Sequence, residues 1–155
     1  MTVLTSQEDA SVNFISPASV GVFESRYVRR EERYLAIYLS TQTGCKQACR
    51  FCHLTATGQT DLINATVEDL LLQAEKVFNH YDNLDTPKAK IAHFNFMARG
   101  EPLDSRVIIG DNWRLFDKLS EASLSRNLRP KFLISTILPT SIFMPLEDIF
   151  TPYHQ

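Results

Sequence analysis

The segment 44–53, GCKQACRFCH, contains all three cysteines of this 155-residue chain, Cys45, Cys49 and Cys52, in the spacing C-x3-C-x2-C. Buried filler cysteines scatter through apolar segments, whereas these have polar and basic neighbours: Gln42, Lys46, Gln47 and Arg50. Thiolates at such spacing bind soft or borderline metals, chiefly zinc, copper(I) and iron–sulfur clusters. A closed structural zinc site takes four ligands. No second cysteine pair is present, and His53 directly follows Cys52, so the two are badly placed to share one tetrahedral ion. An iron–sulfur cluster is a larger body, and three thiolates from one loop can each take a different iron. A four-iron cluster held in this way keeps one iron open, and open coordination is where metal chemistry takes place. Zinc remains the alternative occupant.

The cysteine loop needs rigid elements to present it. The segment 33–41, RYLAIYLST, is rich in β-branched and aromatic residues and predicts a strand ending just before the loop. Residues 66–81, TVEDLLLQAEKVFNHY, predict an amphipathic helix: Val67, Leu70, Leu71, Ala74, Val77, Phe78 and Tyr81 recur at steps of three and four. Thr66 supplies its N-cap, and Glu68 and Asp69 favour the positive end of its dipole. KIAHFNFMA (90–98) predicts a second strand, 112–126 a weaker helix with Trp113, Phe116, Leu119 and Ala122 on one side, and PKFLISTIL (130–138) a third strand. Trp113 and the phenylalanines are expected in the core, and His80 and His93 to have no chemical duty. Residues 20–28 predict a short strand, residues 1–21 an irregular N-terminal segment, and the stretch after Pro145 a further helical turn.

Alternation of strand and helix predicts an α/β fold with a parallel sheet and right-handed crossovers. The unusual residues then follow successive strands: the cysteines after the first, Gly100-Glu101-Pro102 after the second, Ser135-Thr136 at the third. Parallel α/β folds bind ligands at the carboxyl edge of their strands, so the three segments should share one rim. A third strand left as an edge would expose FLISTIL for pairing with another chain.

Composition sets wider bounds. At 44% hydrophobic residues the chain can bury a core, and a net charge of −2 gives no global electrostatic case for nucleic-acid binding. Arg26, Arg29, Arg30 and Arg33 form a local basic run that reads either as a solvated strand edge or as an RNA-phosphate contact. No apolar run spans a membrane, the start lacks a secretory pattern, and an odd cysteine count suits a reducing cytosol, so a cytoplasmic location is expected.

C-x3-C-x2-C with Phe51 before the last cysteine resembles the cluster loop of the radical S-adenosylmethionine (SAM) superfamily. STQTGCKQACRFCH, FMARGEPL and LISTILP are similar, in that order and spacing, to motifs of the 23S ribosomal RNA adenine-C2 methyltransferases, over about residues 22–140. The resemblance implies that Cys45, Cys49 and Cys52 ligate a [4Fe-4S] cluster whose open iron binds SAM, and that reductive cleavage yields a 5′-deoxyadenosyl radical. It implies that Gly100, Glu101 and Ser135 contact SAM, and through FESRYV it implies an active-site glutamate at Glu24. The implied partners are an RNA substrate (ribosomal or transfer RNA) and an electron donor, with no membrane. The implied fold is part of a radical SAM (partial TIM) barrel over residues 22–155, truncated after about three units.

The residue types suit that chemistry. A carboxylate at Glu101 can pair with the SAM ammonium through a charge-assisted hydrogen bond. A glycine at 100 allows close backbone approach, and Pro102 stops the strand. The sequence departs from the family's pattern at Tyr38, where the methyl-carrying cysteine would stand, at Ala98 and Arg99 within MGMGEP, and in having no cysteine after Cys52. Two readings follow: a radical SAM enzyme acting on a nucleic-acid base, or a non-catalytic cluster- or zinc-binding module completed by another chain.

Overall fold

The computed structural model describes residues 1–150. Their elements are β1 (Thr2–Thr5), β2 (Val12–Pro17), β3 (Val22–Glu31), β4 (Tyr34–Tyr38), α1 (His53–Ala56), α2 (Val67–Asp82), β5 (Ile91–Phe96), a 3-10 turn (Pro102–Asp104), α3 (Arg106–Gly110), α4 (Asn112–Leu124), β6 (Arg129–Ile134) and α5 (Leu146–Phe150). All six strands form one mixed sheet in sequence order. Neighbours from β1 to β4 are antiparallel, and β4–β5 and β5–β6 are parallel.

The α/β class therefore holds, while an all-parallel sheet does not. The parallel half is the β4-α2-β5-α4-β6 series expected from sequence, and the other three strands extend it as an antiparallel meander. Residues 1–21 are also not irregular, since β1 and β2 lie there. Strand β2 buries Val12 and Phe14 with Asn13 between them, a period-two signal too short to stand out beside Pro17. Strand β1 is exposed along its whole length, so it carries no core pattern and owes its existence to backbone pairing with β2.

Helices α2 and α4 cover one face of the sheet. Phe78 meets Phe94 edge-on at 5.9 Å, and Phe132 stacks between Phe94 (5.4 Å) and Phe116 (4.3 Å). Arg126 joins the two helices, bonding Asp82 at 2.9 Å and Glu75 at 3.2 Å with its guanidinium over the Phe78 ring. Phe14, Phe78, Phe94, Phe96 and Phe116 are core as expected, with Phe23 and Phe132 partly buried against them, but Phe51 and Phe143 are 91% and 93% exposed and Trp113, 52% exposed, lies on the surface. The buried stripe of α4 runs instead through Leu115, Phe116 and Leu119. His80 packs edge-on against Tyr27 at 4.9 Å, and burial pushes its pKa below the ordinary value. His93 stacks on Tyr34 at 4.8 Å.

At its start, α2 carries a full capping box. The Thr66 hydroxyl accepts from Asp69 N at 3.1 Å, and the Asp69 carboxylate accepts from Thr66 N at 2.9 Å. One turn further, the buried Gln73 side chain pins the end of β4, accepting from Ser40 N at 2.8 Å and donating to Ser40 O at 3.0 Å. Those bonds replace ladder bonds, so β4 ends at Tyr38 and the buried polar run Ser40–Thr43 leads into the cysteine loop. No helix among the described residues is long and apolar enough to cross a membrane.

Candidate functional site

The cysteine loop is closed at a narrow neck. Thr43 N donates to Ile63 O at 3.0 Å, Ile63 N donates to the Thr43 hydroxyl at 2.9 Å, and Cys45 N donates to Gln59 O at 3.1 Å. Gly44 makes this closure feasible, because a Cβ there would lie 2.4 Å from Asp61 O and 2.7 Å from Gln59 O. Inside the loop, Ala48 takes a left-handed turn (φ 53°), Cys52 N donates to Cys49 O at 3.0 Å, and Cys52 caps α1. All three thiols are free and half-buried. Burial pushes the Cys45 thiol above its ordinary pKa; a hydrogen bond from the Gln47 backbone opposes the rise, and the nearby Cys49, Cys52 and Glu101 add to it.

The second rim segment follows β5. Gly100 has φ 92°, a left-handed conformation suited to glycine, and a Cβ there would meet Gln42 Cβ at 2.7 Å and Gln42 N at 2.9 Å. The glycine is thus demanded by Gln42, a partner within the chain. Buried Gln42 ties the two rim segments together: its Oε1 accepts from Glu101 N at 3.1 Å, and its Nε2 donates to Asn64 Oδ1 at 3.2 Å and Asp104 O at 3.4 Å. Glu101 is 4% exposed. Its carboxylate accepts from Leu103 N at 3.0 Å, from Ile137 N at 3.1 Å and from the Thr136 hydroxyl. An ionised carboxylate offers about four acceptor positions, so about one remains for a further donor.

These segments enclose a cavity of about 370 Å³ whose lining includes Cys45, Cys49, Cys52, Gly100, Glu101 and Ser135, with Phe51, Phe96 and Thr136 among its walls. Six of the seven residues expected at the site are therefore brought together. A larger hollow of about 490 Å³ lies elsewhere, over Tyr27, His80 and Leu84, and no cysteine lines it. Among the described residues no three His, Cys, Asp or Glu side chains form a group that could hold a metal ion.

Glu24 is the residue left out. It sits in β3, where its carboxylate accepts from Asn13 Nδ2 at 2.9 Å and lies 3.4 Å from both Arg26 and Arg99. The Arg99 contact is an ion pair without hydrogen-bond alignment, since Arg99 Nε has no hydrogen-bond acceptor. Arg99 in turn donates to Thr43 O at 3.3 Å and to Gln59 Oε1, so it clasps the neck of the cysteine loop. Spacing assigns no role to Gln42, Asp104 or Thr136, although Gln42 adjoins the cysteines and Thr136 stands in the Ser-Thr pair of the third strand. Their partners lie far along the chain, and the only sequence signal is a polar residue next to a motif.

No family model matches the chain. It is 30% identical over 103 residues to the probable dual-specificity RNA methyltransferase RlmN of Clostridium botulinum, covering 66% of this chain and 27% of that protein. It is 32% identical over 93 residues to the dual-specificity RNA methyltransferase RlmN of a Sulfurovum species, covering 60% and 24%. The corresponding protein of Aliarcobacter butzleri is 32% identical over 103 residues, covering 66% and 27%. The match thus spans about two thirds of this chain and about a quarter of those methyltransferases. The resemblance to RNA methyltransferases carried by the cysteine, Gly-Glu-Pro and Ser-Thr motifs is borne out.

Proposed function

We propose that the chain is part of a radical SAM protein acting on an RNA base. In this reading β4, β5 and β6 begin a partial TIM barrel within residues 22–155, completed by further units or by a partner chain. Cys45, Cys49 and Cys52 hold a [4Fe-4S] cluster, and Gly100, Glu101 and Ser135 seat SAM. The substrate is ribosomal or transfer RNA, the electron comes from a separate donor, and the setting is the cytoplasm. One observation carries the reading: a single cavity is lined by all three thiols and by the residues that follow both later parallel strands.

When bound, the cluster supplies the electron for reductive cleavage of SAM. The remaining acceptor position of Glu101 would be open to the SAM ammonium, while Leu103 N, Ile137 N and the Thr136 hydroxyl hold the carboxylate in place. Leu54 and Phe96 supply buried apolar walls. Glu24 enters as the partner of Arg99, steadying the loop neck. Tyr38 stands where the methyltransferase pattern has its methyl-carrying cysteine, which favours, as a second reading, a cluster- or zinc-binding module that does not complete methyl transfer.

Anaerobic reconstitution with iron and sulfide, followed by dithionite and SAM, is expected to give a brown protein that forms 5′-deoxyadenosine. Cys49→Ala is expected to abolish the colour. A protein that stays colourless, takes up zinc instead and forms no 5′-deoxyadenosine would defeat the enzyme reading. Methyladenosine in treated RNA tests the substrate separately.

A further inference from the structure

We propose that Asp104 is a positioning residue that latches the cysteine loop to the loop carrying Glu101. The role assigned to that loop rests on the reading above; the latch itself is a contact between two segments of the chain. Asp104 Oδ2 accepts from Gln47 Nε2 at 2.6 Å and lies 3.4 Å from Lys46 Nζ. Both partners fall between the first two cysteines. Among the described residues, apart from the local hydrogen bond from the Gln47 backbone to the Cys45 thiol, the side-chain hydrogen bonds and ion pairs joining 46–51 to the rest of the chain run to this one carboxylate.

The carboxylate is the fixed member of the set. Its side chain is 11% exposed, against 65% for Lys46. It ends the 3-10 turn capped by Glu101, its own N–H donates to Glu101 O at 3.0 Å, and its carbonyl accepts from Gln42. The lysine is solvated and contributes little, whereas the short bond from Gln47 to a largely buried anion is the strong one. Without it, a loop with exposed Arg50 and Phe51 and a left-handed Ala48 has only its neck to hold it. The turn therefore faces two ways. Glu101 at its start reaches the segment after β6, and Asp104 at its end reaches the cysteines. A ligand that orders Glu101 is coupled through this turn to the spacing of Cys45 and Cys49, and the coupling is reciprocal.

The test is amide hydrogen exchange on the metal-free protein. Asp104→Ala is expected to speed exchange of the Cys52 amide, which is bonded to Cys49 O across the loop, about tenfold, the loss of one charge-assisted hydrogen bond, with α2 and β5 unchanged. Gln47→Ala breaks the same bond from the loop side without touching the turn and must give the same loosening. The double variant must exchange no faster than Asp104→Ala alone. In reconstituted protein, Asp104→Ala is expected to release iron to a chelator about tenfold faster. Unchanged exchange of the Cys52 amide in Gln47→Ala overturns the latch. A wild-type protein that takes up no iron overturns the radical SAM reading instead and leaves the exchange result to decide the latch.

Discussion

Glu101→Ala is expected to lower stability by about 3–5 kcal/mol and to abolish 5′-deoxyadenosine formation. The side chain is nearly inaccessible and accepts three hydrogen bonds. Truncation leaves Leu103 N, Ile137 N and the Thr136 hydroxyl without their acceptor. Each stranded donor costs about 1–3 kcal/mol, and the three are not additive because they share one group. The segment after β6 would also lose its tether to the rim. Glu101→Gln keeps an oxygen for Leu103 and Thr136 but turns an amide N–H₂ toward Ile137 N, so about 1–3 kcal/mol is expected. Urea unfolding midpoints measure both. An Ala variant as stable as the parent would mean that the carboxylate does not join the β5 and β6 segments.

The second large effect belongs to Gly44. Gly44→Ala places a methyl 2.4 Å from Asp61 O and 2.7 Å from Gln59 O, both backbone atoms that cannot swing aside. The neck of the cysteine loop must open, and the bond from Cys45 N to Gln59 O at 3.1 Å goes with it. Overpacking and the lost hydrogen bond together cost about 3 kcal/mol. The variant is expected to unfold at lower urea and to retain less iron after reconstitution. Gly58→Ala is the control: the same loop, a left-handed φ of 67°, but open space around the added methyl. Its cost should be about 1–2 kcal/mol from backbone strain alone. Equal losses in the two variants would show that crowding at the neck is not what Gly44 relieves.

The parts of this fold legible in the sequence are those with a long repeating signal. The apolar stripe of α2 and its Thr66 cap appear within a residue of where periodicity puts them. The three parallel strands appear in order, each shorter than its apolar run, because buried polar side chains such as Gln73 take over backbone bonding at the ends. Strand β1 was not legible because nothing on it is buried. Trp113 misled because a tryptophan on a helix reads as core, whereas α4 turns Leu115 and Phe116 inward. The gathering of Cys45, Cys49, Cys52, Gly100, Glu101 and Ser135 around one cavity followed from strand order alone. The bonds that hold those residues were hidden. Gln42, Asp104 and Thr136 act on partners decades of residues away, and a single polar side chain announces no partner.

The meander in front of the parallel half bears on the order in which structure is gained and lost. Strands β1 to β4 pair with their immediate sequence neighbours, so closing each hairpin costs little chain entropy. Strand β4 meets β5 only after the cysteine segment and α2 have been traversed, and β6 must wait for α4. The nonlocal half is thereby the part that closes late, while its buried core of Phe78, Phe94 and Phe116 keeps it from opening before the exposed β1 edge, an order that native-state exchange would read. All three rim segments hang from that half, so the thiols are gathered around their cavity only once the slowest strand pairings have closed.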